Sequence, residues 1–466
     1  TLRKMASELH AEINILNESQ GYEGKCLQVL VRSAPRSIED HVDLRIAVAG
    51  NVDSGKSTLV GVLTGNGALD NGRGLARAQV FTHKHELETG RTSNVSQQIM
   101  GFNATGNIVN YMGVRQMTWT DVVERSSKVV TFFDLCGHEK YLRTTMFGLT
   151  ACLPDYQMLV VAANNGVLRM TKEHLALALA LKIPVFVVVT KIDICPENIC
   201  EETTGTIMKI LKSPAAKKLP VLVKSDEDVT MCSQNIVNDR IVPIFQISNV
   251  TGGAGLDLLR KFLNLIQSRK NWSLERDKPA EFSIDDIFAP VGVGTVVAGT
   301  AVSGTINVNQ WLWLGPDLNG QYSKVQVKSI HYKRTNVKQL VSGQSGSLAL
   351  KKIKRTAVRK GMYLLESNTT PSAVLSFEAE VVVFYHHGTT IKVGYQPIIN
   401  VNCVRQAAKV VTIDKEVIRA GDRANILFQF MYHPEHLQEG SRFIFREGRT
   451  KGIGRITKLM TVREET

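Results

Sequence analysis

Gly50-Asn51-Val52-Asp53-Ser54-Gly55-Lys56-Ser57 has the spacing of a phosphate-binding loop, G-x-x-x-x-G-K-[ST]. An apolar run, Leu44-Arg45-Ile46-Ala47-Val48-Ala49, precedes it, and a helix-like run begins at Ser57. A strand, a glycine loop and a helix start are the setting in which this spacing has a mechanism. The glycines let the backbone from Asn51 to Thr58 wrap closely around phosphate oxygens with its N–H groups turned inward. Lys56 reaches the β- and γ-phosphates, and the Ser57 hydroxyl suits Mg²⁺.

Other runs complete a nucleotide site in chain order. Asp134-Leu135-Cys136-Gly137-His138-Glu139 follows the apolar strand Val129–Phe133. Asp134 is placed to hold Mg²⁺ through a water, and the Gly137 N–H to touch the γ-phosphate. His138 then lies where an attacking water must be oriented, a task an imidazole performs near neutral pH. Thr190-Lys191-Ile192-Asp193 follows Val185–Val189. The Asp193 carboxylate accepts from the guanine N1–H and 2-amino group, a donor pair adenine lacks. Lys191 is expected over the base. The usual first residue of this run is Asn; Thr190 has one hydroxyl and cannot donate and accept as an amide does. Weaker base affinity is therefore expected. Ser248-Asn249-Val250, after Val242–Gln246, fits a loop that meets the guanine O6 through a backbone N–H. Between the first two runs lies Glu88-Thr89-Gly90-Arg91-Thr92-Ser93. Thr92 is the expected Mg²⁺ ligand and γ-phosphate sensor there, with Thr89 and Ser93 as competitors.

Residues 41–271 alternate apolar strands with helix-like segments, which predicts an α/β domain: a parallel sheet with helices on both faces. The expected strands are Arg45–Ala49, Val129–Phe133, Gln157–Ala162, Val185–Val189 and Val242–Gln246, and each motif sits at a strand's carboxyl end, where open α/β sheets bind ligands. Residues 1–40 form an N-terminal extension. Leu9, Ile13 and Leu16 have helical spacing in it, and Cys26–Arg32 reads as a short strand. Residues 103–128 read as a polar surface insertion carrying Tyr111 and Trp119. After the charged linker Lys270–Lys278, short β-rich runs with glycine turns predict one β-barrel over 279–368 and a second over 375–461.

The chain has 466 residues, 43% of them hydrophobic, enough for about three domains. No apolar run of about 18 residues predicts a membrane span, and no signal peptide is visible. Position 1 is Thr, so a longer parent chain is expected. Seven scattered cysteines without a C-x-x-C pair read as free thiols of a reducing compartment. Cys195 and Cys200 lack a second pair at zinc spacing. The formal charge is +13, and residues 275–466 carry 26 Lys/Arg against 17 Asp/Glu. Residues 324–360 hold eleven Lys/Arg and no acid. A polyanionic partner such as RNA is one reading of that asymmetry, and a solvated basic face is the other. The RNA reading centres on Lys351, Lys352, Lys354 and Arg355, with Arg442, Arg446, Arg449 and Lys451 as the alternative.

These elements in one order, followed by two barrels, resemble the elongation factor Tu/one-alpha class of translational GTPases. Val52-Asp53, Gly137-His138-Glu139, Met170-Thr171-Lys172-Glu173-His174, Gly292–Gly299, Arg359-Lys360-Gly361-Met362 and Phe377-Glu378-Ala379-Glu380 carry the resemblance. Leu69-Asp70-Asn71-Gly72-Arg73-Gly74, Phe81–Glu86 and the Thr190 run narrow it to the GTP-binding protein one/two subfamily. The resemblance implies a cytoplasmic GTPase that binds GTP/GDP and Mg²⁺; the sequence does not fix its oligomeric state, and a monomer is the favoured expectation. Its implied partners are the ribosome and aminoacyl-tRNA, with no membrane, and its implied work is translation surveillance or mRNA quality control rather than bulk elongation. The alternative is a GTP-gated RNA-binding adaptor that recruits RNA-decay factors. Lys56 and His138 would be catalytic, and Val52 resembles one side of an apolar gate before that histidine. No arginine stands out in the sequence as an internal finger, so slow intrinsic hydrolysis is expected.

Overall fold

The computed structural model describes residues 8, 11–21, 24–33, 41–81, 83–89, 92–112, 116–384, 390–447 and 449–461; side chains at 17–21, 24–26, 89, 449–451 and 461 lie outside that description. Leu9, Thr82, Gly90 and Arg91 of the sequence reading therefore fall outside it, as do the side chains of Cys26, Thr89, Arg449 and Lys451. Two compact units divide the chain at Lys270/Asn271, with Thr150–Leu153 counted in the second.

The first unit opens on a hairpin, β1 (Ala11–Gly21) and β2 (Gly24–Ser33), where a helix was expected from Leu9, Ile13 and Leu16. Cross-strand pairing explains the difference: Ile13 faces Val31 and Ile15 faces Val29, and such β-branched pairs favour a sheet over a helix. Leu16 and Leu30 pack on the core of the adjoining domain. Arg32 donates to the Asn264 carbonyl at 2.9 Å. Buried Lys128 donates to the carbonyls of Leu263 (2.7 Å), Asn264 (2.9 Å) and Ile266. Two cations thus satisfy the orphan carbonyls ending the helix Ala254–Leu265.

The main sheet has seven strands: β3 (Val42–Gly50), β4 (Ser96–Phe102), β5 (Lys128–Asp134), β6 (Tyr156–Ala162), β7 (Val185–Thr190), β8 (Leu219–Leu222) and β9 (Ile241–Gln246). Their order is β4-β5-β3-β6-β7-β9-β8. All pairs are parallel, as expected, except β4 with β5, which adds an antiparallel edge to the sheet. The sequence hid β4 because its first residues are Ser96, Gln97 and Gln98, and β8 because Pro220 lies within it. β3, β5, β6 and β7 are almost wholly buried, and helices supply the covering layers. Leu256, Leu259, Phe262 and Leu263 form the inner stripe of Ala254–Leu265, and Phe262 meets Phe186 and Phe245 at 5.3 and 5.1 Å between ring centroids. The expected surface insertion is integrated. The Tyr111 hydroxyl donates toward the carbonyls of Val62 and Leu63, and Trp119 packs on a small core of Ile99, Val122, Val123 and Val129.

The second unit holds two barrels. In the first, Trp311–Gly315, Tyr363–Leu365, Glu281–Phe288, Val296–Ser303, Ser345–Lys351 and Ser323–Tyr332 pair in that order, and Ser323–Tyr332 closes on Trp311–Gly315. The second is a closed barrel of six strands from Val374–Val383 to Arg449–Thr461. Between the barrels, Arg359 pairs with buried Glu435 at 2.8 Å, and Gln406 donates to the same carboxylate at 3.0 Å. Burial pushes Glu435 up to about 7, against the pull of Arg359.

Candidate functional site

Parallel pairing sets the site. Val48 of β3 is level with Asp134 of β5, Ala162 of β6 with Thr190 of β7, and Val189 of β7 with Gln246 of β9. The loops leaving β3, β5, β7 and β9 therefore gather at one edge of the sheet.

The phosphate loop turns through Asp53 (φ 56°) and Gly55 (φ 85°) into the helix Lys56–Thr64. Val52, Asp53, Gly55, Lys56, Ser57, Thr58, Thr92, Gly137 and His138 line one cleft. Ser54 is buried, its hydroxyl donating back to the Asn51 carbonyl at 2.9 Å. Lys56 donates to that same carbonyl at 2.7 Å. Burial lowers the Lys56 pKa, while nearby Asp134 holds it up. A side chain at Gly137 would come within 2.5 Å of Lys56 Nζ and 2.8 Å of the Gly50 carbonyl oxygen; glycine alone leaves this space to a ligand.

The metal-ligand residues converge. Ser57 Oγ donates to Asp134 Oδ2 at 2.6 Å, Thr92 Oγ1 lies 3.0 Å from Ser57 Oγ, and Thr92 donates to Asp134 at 3.2 Å. Ser93 is engaged elsewhere, donating to Glu86 through its N–H (2.7 Å) and hydroxyl (2.8 Å). Asp134 is fully buried, and burial raises its pKa against the pull of Lys56 and both hydroxyls. Its Oδ1 has no hydrogen-bond partner. A buried carboxylate with a bare oxygen and two hydroxyls beside it is a hard-oxygen set, which fits Mg²⁺ completed by phosphates and water. Among the described residues no group of three His, Cys, Asp or Glu could hold a metal, and the six cysteines with described side chains are free.

His138 is partly exposed at the phosphate end, and its Nδ1 accepts the Lys140 N–H at 3.0 Å. A neutral ring that accepts at Nδ1 carries its proton on Nε2. The imidazole is thus set to donate, which suits orienting a water rather than deprotonating it.

The base end is a cleft of about 420 Å³ lined by Asp70, Arg73, Arg77, Lys191, Asp193, Asn249 and Val250, among others. Lys191 takes a left-handed turn (φ 61°), and Asp193 is exposed. The Ser248 hydroxyl accepts the Val250 and Thr251 N–H groups at 3.1 and 3.0 Å, which shapes its loop. Thr190 is buried and donates to the Ser54 carbonyl at 2.7 Å. It braces the phosphate loop instead of reaching for the base.

Two further residues bear on the site. Buried His174 accepts the Gly50 N–H at 3.1 Å through Nδ1; helical spacing puts it on an inner face but does not reveal this partner. Arg77 lines both clefts, and its guanidinium makes no hydrogen bond or ion pair among the described residues. Its stem folds over Gly74, where a Cβ would lie 2.4 Å from Arg77 Nε. Nothing in the sequence marked it, because it belongs to no run with the spacing of a nucleotide motif.

A phosphate loop, a switch threonine and base-recognition loops on one α/β sheet, with two β-barrels following, define a GTPase of the translation-factor class. Residues 42–268 match the Elongation factor Tu GTP binding domain, 294–365 Elongation factor Tu domain 2, and 370–460 the Elongation factor Tu C-terminal domain. The chain is 50% identical over 462 residues to GTP-binding protein 1 of Xenopus laevis, covering 99% of this chain and 70% of that protein. It is 43% identical over 472 residues to GTP-binding protein 2 of Homo sapiens, covering 99% and 77%. The crystal structure of translation elongation factor SelB from Methanococcus maripaludis with a GTP analogue shares the fold, with a TM-score of 0.62 and 19% identity, over 91% of this chain and 81% of that one. The chain belongs to the elongation factor Tu family of GTPases, in the branch of GTP-binding proteins 1 and 2. It binds GTP and GDP with Mg²⁺ and hydrolyses GTP to GDP and phosphate.

His174 makes the domain acid-sensitive. Burial, helped by Lys56, lowers its pKa from 6.5 to about 3. The unfolded chain binds this proton below about 6.5 and the folded one only near 3, so stability is full above that window and falls as pH drops through it. His174→Asn, whose side-chain oxygen can still accept the Gly50 N–H, is expected to flatten the fall. Melting curves across pH check this; an unchanged acid slope would assign the loss to other groups.

Proposed function

We propose that this GTPase works on the ribosome with aminoacyl-tRNA, in translation surveillance or mRNA quality control rather than bulk elongation, as a cytoplasmic monomer. The observation that carries the reading is the domain series itself, a GTPase domain and two barrels matched in order to elongation factor Tu. Work outside bulk elongation is proposed from the resemblance to GTP-binding proteins 1 and 2.

In the proposed cycle Lys56 neutralises the β- and γ-phosphates, and the loop amides from Asn51 to Thr58 hold their oxygens. Ser57 and Thr92 would hold Mg²⁺, with Asp134 supporting it through water, and the ion would supply countercharge to the phosphates. Gly137 meets the γ-phosphate. His138 donates to the attacking water once a partner brings it past Val52. Asp193, Lys191 and the Ser248–Val250 loop hold the guanine. Loss of the γ-phosphate releases Thr92 and its segment, which resets the switch.

The first barrel supplies the RNA face in this reading. In the strand Ser323–Tyr332, Val325, Val327, Ile330 and Tyr332 are buried, while Lys324 and Lys328 are exposed. Lys352, Lys354 and Arg355 are also exposed, and Lys351 is partly so, donating to Asn309 and Gln326 at 3.0 Å each. Others of the eleven charges are engaged within the fold, Lys360 among them, 2.8 Å from Asp286. Lys333, expected outward, is 7% exposed with its ammonium over the Tyr332 ring, and Arg359 pairs with Glu435. Of the alternative patch, Arg446 is buried.

The test is GTP turnover alone, with ribosomes, and with ribosomes plus aminoacyl-tRNA; no stimulation by either would remove the ribosomal reading. His138→Ala is expected to keep nucleotide affinity and lose at least ~10²-fold of the stimulated rate, the low end for a lost proton-handling or positioning group. Ordinary stimulated turnover in that variant would rule out its role. Lys351, Lys352 and Lys354 changed together to Glu are expected to weaken tRNA binding and flatten its salt dependence, with nucleotide affinity unchanged. Unaltered RNA affinity and salt slope would make the cluster a solvated face.

A further inference from the structure

Thr190 leaves the base-recognition loop without its amide. Its one hydroxyl proton goes to the Ser54 carbonyl at 2.7 Å, so nothing remains to donate to a purine. The carboxamide of Asn249 lies beside it. A Cβ at Gly55 would be 3.5 Å from Thr190 Oγ1 and 3.6 Å from Asn249 Nδ2, so hydroxyl and amide flank one point of the phosphate loop. Asn249 also lines the base cleft with Lys191 and Asp193.

This amide is buried and unpaired. Asn249 is 7% exposed, and its Oδ1 has no hydrogen-bond partner. Its Nδ2 makes no hydrogen bond among the described residues. The residue is nonetheless held firmly. Its carbonyl accepts the Asp70 N–H at 2.8 Å, and the Ser248 hydroxyl fixes the next two amides. Asp70 is itself anchored, accepting from the N–H groups of Gly72 (3.0 Å), Gly74 (3.1 Å) and Ala76 (2.9 Å). The Nδ2 donor, held beside the phosphate loop and the base cleft without a protein acceptor, is the atom open to a ligand acceptor; Oδ1, itself an acceptor, takes no part in that bond.

We propose that the Asn249 side chain donates to N7 of the guanine, taking over from a neighbouring loop the purine contact that Thr190 cannot make. Asp193 reads the N1–H and 2-amino edge, and the Asn249 amide reads the opposite edge, where N7 and O6 are acceptors. The amide has moved between loops, while the first position of the Thr190 run keeps its bracing of the phosphate loop.

The experiment compares GDP with 7-deaza-GDP, which lacks the N7 acceptor, by calorimetric titration of the full chain. The unmodified protein is expected to bind GDP about 10-fold more tightly, the scale of one hydrogen bond. Equal affinity overturns the proposal without any variant. Asn249→Ala is expected to lose roughly 10- to 100-fold in GDP affinity and to bind both nucleotides alike. Retained GDP affinity, or retained preference over 7-deaza-GDP, overturns it. Thr190→Asn added to Asn249→Ala restores the amide on the other loop and is expected to return the preference for GDP. A double variant still blind to N7 contradicts the exchange.

Discussion

Lys56 and Asp134 are buried together beneath the phosphate loop, and the rest of the site depends on that pairing. Charges taken out of water are costly unless paired and hydrogen-bonded. Here the compensation is incomplete: Asp134 keeps an oxygen without a partner, and burial pushes both groups toward their neutral forms. A nucleotide with its Mg²⁺ supplies the missing countercharges. The protein fold holds Asp134 at the end of β5 and Lys56 at the start of the helix that follows β3, its neighbour in register, and the ligand makes that placement favourable.

Bracing of the phosphate loop comes from residues outside the loop. His174 receives the Gly50 N–H from the helix Arg169–Leu181, and Thr190 donates to Ser54 from the end of β7. The loop's first glycine and its middle are thereby fixed before any ligand arrives. Such preorganisation means that binding need not order the loop. Among the described residues, Thr92 meets the site through side-chain hydroxyl contacts.

Much of this was legible in the sequence, for a physical reason. Phosphate and base recognition use short runs at strand ends, so Lys56, Asp134 and Asp193 announce themselves by local spacing. Contacts between distant runs do not. His174 against Gly50 and Asn249 beside Thr190 each join residues far apart in the chain, and Arg77 at the junction of the two clefts belongs to no motif. The N-terminal hairpin misled because Leu9, Ile13 and Leu16 have helical spacing, while the deciding partners Val29 and Val31 lie on the next strand. Lys333 looked like one more surface charge until the turn after Tyr332 carried it inward. Arg359, read as part of a family landmark, joins the two barrels through Glu435.

The central claim is that Asp134 is buried as an incompletely satisfied carboxylate in order to hold Mg²⁺ with its nucleotide. GDP release with and without a chelator tests it most directly, in the unmodified chain and in Asp134→Asn. The neutral amide keeps the shape and removes the charge. The unmodified protein should release GDP slowly with Mg²⁺ and at least several-fold faster once the ion is stripped, whereas the variant should release it fast in both conditions. Equal sensitivity to the chelator in both proteins would contradict the account.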